Sequence, residues 1–187
     1  MPPRPRTVYT APVRAKRLCM ICFRNVIFNY DPMAGELPVF RCRFATAATG
    51  KCMLCADRKK ACVLPAEGMQ GDSLDLEALL EWVTFYFDIA RDADGNPDLD
   101  ADGDEVYEHD TGFRAEICGA VLRLCTAFEA TEKTHRSGLE TTGAKKKKKA
   151  IECRLVPGDD GYQLWALAKR MFRGEVAAAV TSALGPA

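Results

Sequence analysis

Apolar residues recur at helical spacing in three parts of this chain. In the first, Leu76, Leu79, Leu80, Val83 and Phe87 share one face, and Trp82, Phe85, Tyr86 and Ile89 widen it beyond a single stripe. A helix from Asp72-Ser73, its capping pair, to about Asp92 is expected after a Gly/Pro hinge at 65–71. Its broad face calls for burial on two sides, or on one side with a partner chain. In the second, Phe113, Ile117, Val121, Leu124 and Phe128 predict a helix over 113–132. Cys118 and Cys125, seven apart, fall on one face and read as buried core thiols. The third runs from about Tyr162, with Leu164, Trp165, Ala168, Met171 and Phe172 inward and a kink expected at Gly174. Between the second and third lie a linker, 133–150, and a short apolar strand at 151–156. The pattern predicts a mainly α-helical domain over 72–184, with no internal repeat and no sustained heptad.

Before residue 65 the pattern changes. Residues 1–17 are a basic arm in which four prolines prevent a helix, with Arg14, Lys16 and Arg17 at its end. Val26-Ile27-Phe28 is a short apolar run, a strand or one turn of helix, followed by a loop at 31–35. Val39 to Phe44 alternates apolar and basic residues as a strand does. Neither run is long enough to build a core. Six of the nine cysteines fall within 19–62 instead. Cys19-x2-Cys22 and Cys52-x2-Cys55 are metal knuckles, because two thiolates two residues apart can turn to one ion from a tight turn. Cys42 and Cys62 stand beside them. Residues 18–65 therefore read as a small, irregular, zinc-stabilised module ahead of the helical domain. Cys19, Cys22, Cys52 and Cys55 suffice for one zinc. Two zincs need eight positions, which all six cysteines supply if two thiolates bridge.

Charge sharpens this reading. The 187 residues balance 26 basic against 26 acidic side chains. Residues 1–64 nevertheless hold 12 Lys and Arg against 3 acids, and residues 65–112 hold 1 against 15. A basic segment coinciding with the cysteines points to a polyanion partner, most simply nucleic acid. Arg41, Arg43, Arg58, Lys59 and Lys60 lie next to ligand positions, where they would also offset thiolate charge.

Cys52-x2-Cys55-x6-Cys62, with Arg58-Lys59-Lys60 inside it and Val63-Leu64-Pro65 after it, resembles half of a fungal-type Zn2Cys6 binuclear cluster domain. The first half departs from that pattern, since Cys42 follows Cys22 by twenty residues instead of about seven. The resemblance implies two zincs held by six cysteines, basic residues approaching duplex DNA, a nuclear location, and a role as a transcription or chromatin factor of fungal type. The alternative is a zinc-stabilised protein-interaction module that does not bind DNA, with a protein partner or a second copy on the helical domain.

Three further features complete the picture. Residues 92–110 carry nine acids, and Asp98-x-Asp100-x-Asp102-Gly103 has the spacing of a calcium loop. The position of the closing glutamate is His109, so a solvated acidic loop is expected rather than a calcium site. Lys145–Lys149 fits an import signal or a phosphate-contacting patch. No nucleophile motif, phosphate-cradling glycine motif or H-E-x-x-H is present, so neither an enzyme nor a small-molecule substrate is expected. No apolar run is long enough to cross a membrane.

Overall fold

Five helices carry the fold in this computed structural model, which describes residues 18–31, 33, 36–38, 40, 51–141 and 153–185. They are α1 (Met20–Asn29), α2 (Met53–Asp57), α3 (Gln70–Val83), α4 (Thr111–Thr141) and α5 (Tyr162–Leu184). A 3₁₀ turn, Thr84–Phe87, extends α3. Among the described residues there is no strand, only three isolated antiparallel bridges. A cysteine cluster followed by a mainly helical domain is thus the architecture. The arm with Arg14, Lys16 and Arg17, the stretch Arg41-Cys42-Arg43 and the Lys145–Lys149 run lie outside the described residues.

The centre of the molecule is the α4–α5 pair. Phe128 and Trp165 meet edge to face at 5.2 Å. Ile117, Val121 and Leu124 of α4 are buried, as are Phe172, Val176 and Ala179 of α5. α5 begins at Gly161 with φ 83°, and a Cβ there would lie 3.0 Å from the Thr131 carbonyl oxygen. Glycine is therefore required both for the left-handed turn and for the close approach to α4. α3 closes over this pair with Leu76 and Val83. Val26-Ile27-Phe28 proves to be helical, within α1. That helix sinks Met20 and Phe23 into the same core, with Phe23 5.6 Å from Phe128.

Several expectations need correction. α3 starts at Gln70, two residues before the expected cap, and Asp72 and Ser73 sit buried inside its first turn. Gln70 ties the helix start instead, bonding the Pro65 and Ala66 carbonyls through its side-chain amide. The Asp72 carboxylate leaves the helix altogether. It accepts from the Leu155 backbone N–H at 2.8 Å and from the Trp165 indole N–H at 2.9 Å. Regular helix stops at Val83, and the apolar face beyond it is not covered on two sides: Trp82 and Phe85 are 48% and 67% exposed. α4 continues nine residues past 132, because His135 and Leu139 still pack inward. Cys153–Val156 is irregular, its backbone spent on α3: the Cys153 carbonyl accepts from Gly71 and Leu155 donates to Asp72. α5 runs unbroken through Gly174, and Leu164 and Met171 are largely exposed rather than inward.

The acidic segment carries a short repeat, where none was expected. Asp92-Ala-Asp-Gly-Asn96 and Asp100-Ala-Asp-Gly-Asp104 are the same turn repeated after eight residues. In each, one oxygen of the first aspartate accepts two backbone N–H groups, from Asp94 and Asn96, then from Asp102 and Asp104, at 2.9–3.0 Å. Backbone bonds link Ala90, Asp98 and Val106 in a closed triangle. The acids point to solvent, as expected for a solvated loop, but the backbone beneath them is tied.

Candidate metal centre

The two knuckles are built alike. Cys19 and Cys52 each stand in extended conformation immediately before a helix, and each carbonyl receives the first helical N–H, from Phe23 at 2.9 Å and Ala56 at 2.9 Å. One helical turn then brings Cys22 and Cys55 back beside them. The halves meet reciprocally: Cys19 Sγ lies 3.6 Å from Cys55 Sγ, and Cys22 Sγ lies 3.3 Å from Cys52 Sγ. A backbone bond from Met20 N to the Val63 carbonyl, 2.7 Å, fastens the first knuckle to the end of the second.

Cys62 enters by a turn. Lys59 takes φ 54°, which a non-glycine residue seldom adopts, and Lys60 N then reaches the Cys55 carbonyl at 2.8 Å. This folds the chain back, so that Cys62 Sγ accepts the Cys52 N–H at 3.1 Å. The Sγ atoms of Cys19, Cys52, Cys55 and Cys62 all lie within 4.8 Å of one another.

These distances fit a metal better than a covalent bridge. A disulfide needs sulfurs at about 2.05 Å, and no disulfide joins the described cysteines. Ligands about 2.3 Å from a tetrahedral ion stand about 3.8 Å apart, close to the Cys19–Cys55 separation. Cys19, Cys22, Cys52 and Cys55 are buried in a small cluster of their own, with Ile21 and Leu54 against it. Together with half-buried Cys62, the group could hold a metal ion.

The thiols are not equivalent. Burial works against ionising Cys52, but the Cys55 N–H and the thiols of Cys22, Cys55 and Cys62 outweigh it and bring Cys52 down to about 7. Cys19 is likewise lowered against burial, chiefly by the Cys22 N–H. Burial raises Cys55 and Cys62. The lowered pair, Cys19 and Cys52, opens the two knuckles.

Five of the six expected ligands thus come together, and the sixth, Cys42, lies outside the described residues. The tightest group of four is not the pair of knuckles: Cys62 takes the place expected of Cys22. Of the expected basic residues, Arg58, Lys59 and Lys60 are exposed beside the cluster. The Arg58 guanidinium also donates to the Asn25 side chain at 2.6 Å, linking α2 to α1. Arg24 carried no role in the sequence pattern. It crosses from α1 to α4, bonding Glu129 at 2.9 Å and the buried Glu132 at 3.0 Å. Arg136 meets Glu132 from the other side and donates to the Leu64 carbonyl at 2.8 Å. Glu132 and Arg136 stand at i,i+4 spacing, but nothing in the sequence pattern marks Arg24 as their neighbour, because its contacts join positions about a hundred residues apart.

Comparison with family models, curated proteins and solved structures gives no match for this chain.

Proposed function

We propose that this protein is a zinc-cluster factor that binds duplex DNA in the nucleus through the basic turn Arg58-Lys59-Lys60. The observation carrying this reading is the convergence of five cysteines in the segment that also displays three exposed basic residues. Zinc suits an all-thiolate, tetrahedral, buried donor set. Two ions suit the pattern of contacts. Cys52 touches Cys22 while belonging to the Cys19–Cys52–Cys55–Cys62 group, which suits it to bridge two ions. In this reading Cys42 completes the second tetrahedron. That arrangement is in keeping with the Zn2Cys6 resemblance.

The metal has a structural task here. It supplies the folding energy of a segment without a core of its own, and it fixes the turn that displays Arg58–Lys60. Phosphate oxygens are the natural partners of such a turn. The docking of α1 on α4 favours a second reading, a zinc-stabilised protein-interaction module without DNA, because Arg24 is engaged by Glu129 and Glu132.

Elemental analysis of the purified chain tests the metal: one to two tightly held zinc ions are expected, and none would overturn the reading. Titration with duplex DNA at several salt concentrations tests the partner. A steep negative dependence of log K on log salt is expected, and no binding at low salt would leave the second reading.

A further inference from the structure

Trp82 and Phe85 form an aromatic face that the fold leaves uncovered. Trp82 is 48% exposed and Phe85 67% exposed. Neither is loosely placed. Trp82 packs edge-on to Tyr86 at 5.3 Å and Phe85 does the same at 5.8 Å. Tyr86 in turn sits on buried Phe113 at 5.7 Å. Two large rings at the surface thus rest on a third that packs against the core. A contiguous exposed apolar patch on a polar surface marks an interaction site.

The surroundings decide what it fits. From Glu81 to Asp110 the chain carries eleven carboxylates against one arginine, Arg91. The triangle of backbone bonds at Ala90, Asp98 and Val106 holds most of these acids in one knob directly after the aromatic turn. A partner must therefore satisfy exposed aromatic faces and a strong negative field together. An arginine or lysine does both, because its cation stacks on an aromatic face while its charge is drawn to carboxylates. The knob already shows the first contact in miniature: the Arg114 guanidinium lies 3.7 Å from the centre of the Tyr107 ring.

We propose that the exposed face of Trp82 and Phe85, bordered by the 88–110 knob, is a docking surface for a lysine- and arginine-rich segment of a partner polypeptide. The site is separate from the cysteine cluster and does not depend on the DNA reading.

Trp82 supplies its own probe, since the other tryptophan, Trp165, is 1% exposed. The zinc-loaded full chain is titrated with a ten-residue Arg/Lys-rich peptide, while Trp82 fluorescence is followed. A saturable change is expected. It should weaken by about tenfold between 50 and 300 mM salt as the charges are screened. Trp82→Phe separates the probe from the site: binding should survive, read by anisotropy of a labelled peptide. Trp82→Ala with Phe85→Ala should lose it by at least about tenfold, the loss of two stacking partners, with the melting temperature kept. Unchanged affinity in that double variant would reduce the interaction to charge adhesion and overturn the proposal. So would absence of binding at low salt. Sedimentation showing concentration-dependent self-association abolished by the double variant would assign the face to a second copy instead. Peptide affinity that rises by about tenfold or more when Lys145–Lys149 are replaced by serine would assign it to the chain's own lysine run.

Discussion

Asp72 and Glu132 are two buried carboxylates, 1% and 0% exposed, and each holds separate elements together. Asp72 joins α3 to the 153–156 segment and to α5 through Leu155 and Trp165. Burial raises its pKa, against the Leu155 N–H and the nearby Lys169. A carboxyl raised in the folded state favours folding in its protonated form. Its contribution is full at acidic pH and declines as pH climbs through the raised value. Asp72→Asn keeps one acceptor and loses one bond, so it should cost about 1–3 kcal/mol. That cost should be larger at pH 4 than at pH 7 in urea melts, and a cost that grows toward pH 7 would contradict the burial argument. Glu132 holds Arg24 and Arg136, whose side chains are 41% and 37% exposed. Glu132→Ala should cost about 3 kcal/mol, at the lower end for a buried charge pair, because both arginines can rehydrate. None of this was legible in the sequence. Asp72 looks like a helix cap, and Glu132 looks like one more surface acid.

Among the elements, periodicity foretold α4 and α5 well and said less about which face meets what. The apolar spacing of Ile117, Val121, Leu124 and Phe128 is the buried face observed. Where two apolar sets overlap, as on α3, spacing cannot say which set the neighbours cover. Trp82 and Phe85 lost that competition to Leu76 and Val83. The end of α4 was hidden because His135 is held by two carbonyls, of Glu67 and Asp160, which hydropathy does not register. α1 carries the consequence that can be tested. Its 10 residues and the 5 of α2 compare with 14, 31 and 23 in α3, α4 and α5. Chelation of the metal should therefore remove under a fifth of the helical circular dichroism. Yet Met20 and Phe23 of α1 are buried in the common core, so the melting temperature of the remaining helices should fall as well. Differential scanning calorimetry with and without a chelator checks this, and an unchanged helical transition would show that the cluster folds apart from the helices. The acidic turns give the opposite expectation for calcium. One oxygen of Asp92 and one of Asp100 each already accept two N–H groups, and millimolar calcium should leave the melting temperature where it was.

At the scale of the whole molecule, charge is distributed along α4. The cysteine cluster lies near the C-terminal end of that helix, where Arg136 holds the Leu64 carbonyl. The acidic turns lie at its N-terminal end, where the His109 ring packs on Phe113. From residue 111 to residue 136 the helix rises about 38 Å. Sequence composition shows the two charged segments as neighbours and invites the idea that one shields the other. The fold sets the acidic turns apart from the cysteine cluster and its Arg58–Lys60 turn by several times the roughly 8 Å screening length at physiological salt. Two substitutions then have different expected outcomes on the DNA reading. Asp98→Asn with Asp100→Asn should leave affinity for duplex DNA unchanged at 0.15 M salt, whereas a competing acidic loop would have tightened it. Replacing Arg58, Lys59 and Lys60 with alanine should weaken binding to all sequences alike. Each phosphate contact contributes about 0.9 to the salt slope on B-form DNA, so three lost contacts should flatten it by up to about 2.7. The metal content of this triple variant should stay at that of the parent, because the thiolates and the backbone turn that places Cys62 are kept. A flattened slope with zinc retained assigns the basic turn to phosphate. An unchanged slope with zinc retained removes that turn from the nucleic-acid surface and leaves the cluster as the scaffold of a protein-interaction module.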